Sequence, residues 1–259
     1  MNFAGTKQQV SASALADDWL CVGSTCLRLP PVAAIPLNRL YRKLSSADKQ
    51  RVKHNVWIRY RLDLRDRTYL APPSVTLTPL AQAHIEQLRT HPNSTRDQVA
   101  SGLRFWKHGL REGFIWLDED NEPLCFIWLF QAKHNALLRT LPDWSGMYPP
   151  LPTGWARFEN VFTFGRGLRR PGGAATDFAY AVLARLQQQS LKGLLTHVHI
   201  DNLMARRWVE RIGFQPIGTT VRSQLDVPYL RHRPWFFHGS HTAPPPLATT
   251  VRRVNASVE

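Results

Sequence analysis

The stretch that decides the fold runs from Arg157 to Phe214 and reads RFENVFTFGRGLRRPGGAATDFAYAVLARLQQQSLKGLLTHVHIDNLMARRWVERIGF. Its first part, Arg157 to Phe164, is an aromatic and β-branched run that predicts a strand. Gly165 to Gly173 then holds four glycines, one proline and three arginines in nine residues, which predicts an irregular loop. From Ala174 the apolar residues recur at helical spacing, and Leu194 to Ile200 predicts a second strand.

The junction between this loop and the helix has the features of an anion-binding site. The first N–H groups of a helix that begins at Ala174 have no partner within the helix, and the positive end of its dipole points at the loop. Glycine lets a ligand approach the backbone closely, and Arg166, Arg169 and Arg170 add positive charge. The sequence therefore predicts a phosphate or pyrophosphate ligand.

The stretch resembles motif A of the GCN5-related N-acetyltransferase family, whose loop reads Gln/Arg-x-x-Gly-x-Gly/Ala. Residues 170–175, RPGGAA, fit that pattern. After the next strand the family continues with an Asn, an Ala three residues on, and a Gly-Phe pair at eleven and twelve. The residues at those offsets are Asn202, Ala205, Gly213 and Phe214. One position departs, because Val209 stands where the family usually has Tyr and Trp208 lies one residue early.

The resemblance implies an α/β fold with a mixed, mainly antiparallel central sheet flanked by helices. It also implies an enzyme that uses acetyl-CoA or another acyl-CoA as its co-substrate. A backbone N–H near the end of the first strand, around Phe162 to Phe164, is expected to stabilise the oxyanion. The residues expected to bind the acyl-CoA are Phe162, Thr163, Phe164, Arg169, Arg170, Gly172, Gly173, Ala174, Ala175, Asn202 and Ala205.

Acyl transfer to an amine requires removal of a proton from the amine. An alkyl amine with a pKa near 10.4 is neutral in about one molecule in 2,500 at pH 7, so a carboxylate or a water relay is useful. Glu159 lies in the strand that leads to the loop, and a catalytic Glu occupies a similar place in several members of the resembled family. We predict Glu159 as the base. The alternatives are a solvent-facing strand residue or a partner of Arg157.

Other polar residues near the motif have weaker assignments. His197 and His199 share one side of the second strand and are expected to be packed or solvated, with a proton relay or a metal ligand as alternatives. No metal is expected. Val209 cannot donate a proton to a departing thiolate, but a thiol pKa near 8.5 makes the thiolate a tolerable leaving group. Tyr229 and His199 are the candidate substitutes for the missing Tyr.

Two other interpretations of the loop remain open. It is an ordinary turn between strand and helix that is closed by glycines, or it is a dinucleotide-binding Gly-x-Gly-x-x-Gly that starts at Gly165. The second requires glycine at position 170, which is Arg, and an acidic residue about twenty residues further on. Asp201 is the nearest candidate and lies some thirty residues on.

Composition bounds the domain organisation. The 259 residues are 43% hydrophobic, which suffices for one large domain or for one domain with an extension. We predict an N-terminal extension of unknown role over residues 1–74, a GCN5-related acyltransferase domain over residues 75–243 and a loose basic tail over residues 244–259.

Periodicity predicts the regular structure outside the central stretch. In the extension, Leu37 to Val56 has a helical pattern and Trp57 to Leu64 alternates like a strand. In the main domain a short strand after Val75 leads into a helix over Ala81 to Thr90. The interval Arg139 to Trp155 is predicted as a substrate-side loop that places Trp144 and Trp155 near the acceptor. The remaining strands are predicted at residues 114–117, 124–130, 216–225 and 235–238.

Cysteine usage and the chain start indicate the compartment. Cys21, Cys26 and Cys125 cannot all pair and form no C-x-x-C, so neither a disulfide framework nor a zinc site is expected and a reducing compartment is favoured. The first residues lack the features of a signal peptide, and no stretch approaches the ~18 apolar residues of a membrane span. We therefore expect a cytoplasmic protein.

The net charge of +14 requires an explanation in terms of partners. Arg39 to Arg67 carries ten Lys and Arg against three Asp, and we expect a solvated basic face there rather than a nucleic-acid site. The preferred function is transfer of an acetyl or other acyl group from acyl-CoA to a primary amine of unknown identity. Two alternatives stay open: long-chain transfer from an acidic acyl carrier protein, and non-catalytic binding of nucleic acid or a surface on the same fold.

Overall fold

A computed structural model describes residues 18–22, 25–29, 52–142, 144–170, 173–225 and 235–239. Its strands are β1 (Asp18–Val22), β2 (Thr25–Leu29), β3 (Val52–Asp63), β4 (Thr78–Pro79), β5 (Gly113–Leu117), β6 (Pro123–Gln131), β7 (Trp155–Thr163), β8 (Gly193–His199), β9 (Gln215–Leu225) and β10 (Trp235–Gly239). Its α-helices are α1 (Gln82–Thr90), α2 (Asp97–Lys107), α3 (Asn135–Leu138), α4 (Gly165–Leu168), α5 (Ala174–Gln188) and α6 (Leu203–Ile212).

The strands form one sheet in the order β2-β1-β10-β9-β3-β8-β7-β6-β5-β4. Every neighbouring pair is antiparallel except β7 and β8, which are parallel and are joined by the crossover helix α5. Parallel neighbours require such a crossover, and the glycine-rich motif lies at its start. The predicted mixed, mainly antiparallel sheet flanked by helices is confirmed.

The position of β3 corrects the prediction for the N-terminal region. Residues 52–56 were expected to end a helix, but they begin β3, whose β-branched and aromatic residues suit a strand. The rest of the predicted helix lies outside the described residues. β3 pairs with β8 on one side and with β9 on the other, so residues 52–63 are an integral strand of the sheet rather than an extension packed on it.

Each face of the sheet carries its own hydrophobic core. Helices α5 and α6 cover one face, where Phe178 and Val182 pack with Ile58 of β3 and Phe158 of β7. Helices α1 and α2 and the segment 138–151 cover the other face, where the buried ring of Trp128 lies at the centre. Of the helices in the described ranges, none is long and apolar enough to cross a membrane.

The segment predicted as an irregular loop contains the short helix α4. The prediction is wrong for these four residues because Phe164 continues directly into a helical turn, whose Leu168 N–H donates to the Phe164 carbonyl at 2.9 Å. Gly167 lets the turn lie against β6, since a side-chain carbon there would meet the Leu124 carbonyl oxygen at 2.5 Å. The turn shortens the irregular part of the loop that precedes α5.

A disulfide joins Cys21 and Cys26, contrary to the expectation from cysteine spacing. The antiparallel hairpin of β1 and β2 places the two residues directly opposite each other, with their Cα atoms 4.1 Å apart. Cross-strand neighbours are within disulfide range whatever their separation in sequence, which a search for C-x-x-C does not detect. Cys125 is free and buried.

Candidate functional site

The parallel strands β7 and β8 separate at their carboxyl ends and leave a cavity between them. Their pairing begins at Trp155 and Gly193 and ends at Phe158 and Thr196, although both strands continue beyond these residues. A cavity of about 590 Å³ opens where they part. The carboxyl ends of parallel strands are the usual ligand site of an open α/β sheet.

One half of the cavity is formed by the amino-terminal ends of two helices. Ala175 in the first turn of α5 and Ala205 in the first turn of α6 both line it. Gly173 caps α5 with a φ of +86°, and a side-chain carbon at this glycine would meet nothing within 4 Å. Asn202 caps α6 and accepts a hydrogen bond from the Ala205 N–H at 3.0 Å, so it orders the turn that begins this helix.

A β-bulge in β7 lies at the cavity wall. Phe126 pairs with Phe162 and Trp128 pairs with Glu159, so three residue steps on β7 face two on β6. Asn160, within the bulge, has a φ of +52° and lines the cavity. A bulge leaves the extra residue without a ladder partner.

The oxyanion donor was expected around Phe162 to Phe164, and the bulge lies just before this range. The N–H of Phe164 is not available, because it donates to the Leu124 carbonyl at 2.9 Å. The rings of Phe162 and Phe164 pack against Phe126 with centroids 5.8 and 5.7 Å away. Thr163 is the member of this group that lines the cavity.

Glu159 is buried in the cavity wall. Its side chain is directed away from solvent, with 9% of the residue exposed, which excludes the solvent-facing alternative. The Tyr148 hydroxyl donates to Oε2 at 3.5 Å, and Oε1 has no hydrogen-bond partner within the described residues. Burial raises the pKa of Glu159 to about 8, although the charge of Arg157 and the bond from Tyr148 act in the opposite direction. A carboxyl with this pKa can accept a proton in the neutral range.

A chain of buried hydrogen bonds begins beside Glu159 and links side chains of four strands, β7, β8, β9 and β10. Arg157 Nη1 lies 2.6 Å from His197 Nδ1, and His197 Nε2 lies 3.1 Å from Thr220 Oγ1. Thr220 Oγ1 lies 2.8 Å from His238 Nδ1, and His238 Nε2 lies 2.8 Å from the Gly146 carbonyl oxygen.

The two ends of this chain fix one proton on each ring. A guanidinium only donates and a carbonyl only accepts, so His197 is neutral with its proton on Nε2, and His238 Nε2 donates to Gly146. Burial and the neighbouring arginines hold the pKa values of His197 and His238 well below their usual range, so His238 is neutral as well and its Nδ1 accepts from the Thr220 hydroxyl. His197 therefore packs rather than relays protons, and its contact of 3.8 Å with Glu159 is not an ion pair.

His199 differs from His197 because its side chain is partly exposed and lines the cavity. Its Nδ1 accepts a weak hydrogen bond from the Asp201 N–H at 3.4 Å, and its ring packs edge-on against Trp57 at 5.5 Å. Across the described ranges, no three His, Cys, Asp or Glu side chains are close enough together to hold a metal ion.

The arginines of the loop serve different purposes. Arg166 was expected to add charge to the anion site, but it bonds to Asp118 at 2.8 Å and Asp120 at 2.7 Å, so its charge is neutralised in the β5–β6 turn. Arg170 lies over the ring of Trp116 at 4.6 Å. Arg169 is exposed.

Five of the expected site residues line the cavity, namely Glu159, Thr163, Ala175, Asn202 and Ala205. Those that lie outside its lining are Phe162, Phe164, Arg169, Arg170, Gly173 and Ala174. Gly172 and Tyr229 lie outside the described residues. Trp144 lines the cavity as expected, whereas Trp155 is buried in the core under the guanidinium of Arg61.

Sequence reasoning missed four kinds of lining residue: Tyr148 from the long loop, Asn160 in the bulge, Trp208, and the face of α2 with Ser101, Arg104 and His108. Asn160 carried a usable signal, because Asn is a poor strand residue and tolerates a positive φ. The others depend on contacts between distant segments.

Comparison with solved structures identifies the architecture. A GCN5-related glucosamine N-acetyltransferase region of a fungal multi-domain GH3 β-N-acetylglucosaminidase aligns with a TM-score of 0.52 at 12% identity, over 78% of this chain and 23% of that one. The fold is that of the GCN5-related N-acetyltransferases.

Other structures with this GCN5-related fold are similar to the chain at lower scores. An N-acetyltransferase from Sphaerobacter thermophilus aligns with a TM-score of 0.49 at 11% identity, covering 78% of this chain and 59% of that one. For a putative acetyltransferase from Novosphingobium aromaticivorans the TM-score is 0.45 and the identity 16%, over 74% and 68%. No protein-family model matches the sequence, and no curated protein does.

In this GCN5-related fold the sequence motif occupies the parallel pair and its crossover. Val209 lines the cavity, so the position that usually carries a Tyr hydroxyl is apolar here. Trp208 also lines the cavity, and its Nε1 is buried with no hydrogen-bond partner in the part of the chain that is described. The aromatic residue that appears one position early in the sequence therefore lies in the same wall as Val209.

Proposed function

We propose that the protein is an acyl-CoA-dependent N-acyltransferase that moves an acetyl or other acyl group to a primary amine. The observation that carries this proposal is the cavity between β7 and β8. Helix amino termini form one side of it, and a buried carboxyl with a pKa of about 8 forms the other. Anion binding and proton acceptance on two sides of one cavity are what acyl transfer from a thioester requires.

The loop and α5 fit the pyrophosphate of an acyl-CoA. The open space at Gly173 gives a phosphate access to the backbone, and the first N–H groups of α5 lie directly behind it. The Thr176 N–H is already bonded to the Gly173 carbonyl at 3.1 Å, which leaves the N–H groups of Ala174 and Ala175 as the proposed donors. Arg169 and Arg170 would add charge-assisted hydrogen bonds.

When bound, acyl-CoA supplies the thioester carbonyl that the amine attacks. Glu159 accepts the proton that the amine loses, directly or through a water molecule, and about one tenth of this carboxyl is ionised at pH 7 when its pKa is about 8. Backbone N–H groups of the bulge at Asn160 and Val161 are the proposed donors to the oxyanion. Trp208 Nε1 is the proposed hydrogen-bond donor to the departing sulfur. An indole donates hydrogen bonds only, so the thiolate takes its proton from water.

Replacing Glu159 by Gln tests the proposal, because the change keeps the shape of the side chain and removes its basicity. With acetyl-CoA and a panel of primary amines, the wild type should release thiol and add an acetyl group that mass spectrometry detects. Its rate should rise with pH up to about 8 as Glu159 ionises. Glu159→Gln should be roughly 100-fold slower at neutral pH and should recover only as the amine itself deprotonates.

The matched control is Glu119→Gln, which changes an exposed residue in the β5–β6 turn. Calorimetric affinity for acetyl-CoA should be the same in all three proteins. An unaltered pH profile in Glu159→Gln would remove Glu159 from the mechanism. Acetyl-CoA binding without transfer to any amine would favour a binding protein on this fold, and turnover only with an acylated carrier protein would favour the carrier-dependent alternative.

A further inference from the structure

Glu159 faces the half of the cavity that lies opposite the acyl-CoA side. Alternation along β7 places Phe158 in the core under α5 and α6 and places Trp155 in the core under α2. Arg157 and Glu159 lie on the same face of β7 as Trp155, because side chains two residues apart on a strand share a face. Glu159 also contacts Tyr148, which belongs to the core under α2. If Glu159 takes the proton, as the proposed function requires, the acceptor amine enters from the α2 side.

The wall of this half is largely aromatic. Trp57, Phe105, Trp144 and Tyr148 line it, and the rings of Trp57 and Trp144 meet edge to face at 5.9 Å. Aromatic walls favour an acceptor with an apolar or ring-shaped body, because contact area and edge-to-face geometry both contribute to binding.

The charge of this half is positive. Among the described residues that line the cavity, Glu159 is the only Asp or Glu, and its raised pKa keeps most of it neutral at pH 7. Arg104 lies on the cavity face of α2, and its Nη2 donates to Ser101 Oγ at 2.7 Å. The charge of Arg104 also acts on the hydroxyl of Tyr148, the residue that contacts Glu159. A second cation, Arg157, is buried behind Glu159.

We infer that the acceptor is a primary amine that carries a carboxylate on an apolar or aromatic body, and that Arg104 binds this carboxylate. Ser101 uses one of the five N–H groups of Arg104, and the planar guanidinium suits a carboxylate. Polycations are disfavoured because Glu159, the one carboxyl among the described lining residues, is mostly neutral at pH 7 and would not balance their charge. The same positive surroundings lower the pKa of a bound ammonium and help Glu159 to deprotonate it.

Pairs of amines that differ only by a carboxylate test this inference. The wild type should acetylate tryptophan and phenylalanine with a kcat/KM about 10- to 100-fold above that for tryptamine and phenethylamine, because a charge-assisted pair is lost in the decarboxylated amines. Arg104→Gln should remove the preference through KM, and Arg104→Lys should retain part of it. Lys107→Gln, which removes one charge from the exposed end of the same helix, should change nothing.

Calorimetric binding of tryptophan and tryptamine separates this inference from the proposed function. Binding of tryptophan that depends on Arg104, with no turnover, would uphold the acceptor class and refute acyl transfer. Turnover with equal kcat/KM for the two members of each pair, or an equal loss for both in Arg104→Gln, would refute the acceptor class and leave acyl transfer standing.

Discussion

The hydroxyl of Thr220 forms hydrogen bonds with the two buried histidines, His197 and His238. Replacing Thr220 by Val removes both hydrogen bonds and keeps the shape of the side chain. Thr220 is fully buried, and its hydroxyl accepts from His197 Nε2 and donates to His238 Nδ1. Neither ring can adapt by moving its proton, because Arg157 and the Gly146 carbonyl fix the tautomers from outside. Thr220→Val therefore leaves one buried donor and one buried acceptor without partners.

The expected loss follows from these two groups. A buried polar group that loses its partner costs about 1–3 kcal/mol, so the free energy of unfolding should fall by about 2–6 kcal/mol. Thr196→Val is the matched control, since Thr196 is also buried but makes one bond, from its hydroxyl to the Phe158 carbonyl at 3.0 Å. Thr220→Val should lose at least twice as much stability as Thr196→Val.

Urea unfolding followed by tryptophan fluorescence measures the difference, provided the slope with denaturant is the same in the three proteins. Equal losses in Thr220→Val and Thr196→Val would show that the tautomers are not fixed and would refute the directional chain.

A pH series checks the protonation states behind the same prediction. The folded pKa values of His197 and His238 lie below the unfolded value of about 6.5, so their contribution to stability is present above pH 6.5 and is lost as the pH falls below it. Glu159 acts in the opposite sense, because its pKa is raised to about 8 and its contribution is lost as the pH rises toward that value. The series is therefore made in Glu159→Gln, where the slope about one pH unit or more below 6.5 should approach about 1.4 kcal/mol per pH unit for each ring. A flat profile there would contradict the neutral histidines.

Two further predictions concern the acyl-CoA side of the cavity. Gly173→Glu should abolish calorimetric binding of CoA, because the carboxylate would project into the space proposed for the phosphate, whereas Gly173→Asn tolerates the positive φ and should retain part of the affinity. Equal binding in wild type and Gly173→Glu would place the site elsewhere. Val209→Ala should leave turnover within about tenfold of the wild type, since only packing is lost. Trp208→Phe should lower kcat more than Val209→Ala does, because it removes an indole N–H that has no partner among the described residues. The reverse order in steady-state assays would remove Trp208 from the leaving-group side.

The central motif was predictable because its signals are local. Gly173 marks the start of α5, and periods of two and of 3.6 residues separate the strands from the helix, so β7, β8 and the start of α5 fall within two residues of the expected bounds. The end of α5 was expected just before Gly193, but the helix ends at Gln188 with Gln189 as its cap, and Gly193 begins β8. The same holds for the β5–β6 hairpin around its acidic turn. Strands and helices with a clear residue periodicity, bounded by glycines or an acidic turn, can therefore be predicted from the sequence.

The errors lie where distant segments meet. Nothing in residues 52–63 indicates that they insert between β8 and β9, because strand order depends on long-range pairing. Arg166 was assigned to the ligand because Asp118 and Asp120 lie far away in sequence, yet the β5–β6 turn brings them within 2.8 Å. The burial of Glu159 has the same origin, since Tyr148 and α2 enclose it from separate segments.

The arrangement around Arg157 bears on how Glu159 acts as a base. Had Arg157 donated directly to Glu159, as one interpretation of the sequence proposed, the bonded guanidinium would hold the carboxylate pKa well below neutrality and weaken the base. In the structure, Arg157 Nη1 donates instead to the neutral ring of His197, so Arg157 acts on Glu159 through its charge alone. Burial raises the pKa of the carboxyl and the charge of Arg157 limits the rise, which leaves the pKa at about 8, near the working range of a general base. The hydrogen bonds through Thr220 and His238 keep His197 in the one tautomer that can accept from Arg157. Thr220 and His238, which touch no substrate, therefore influence the basicity of Glu159, the residue proposed to remove the proton.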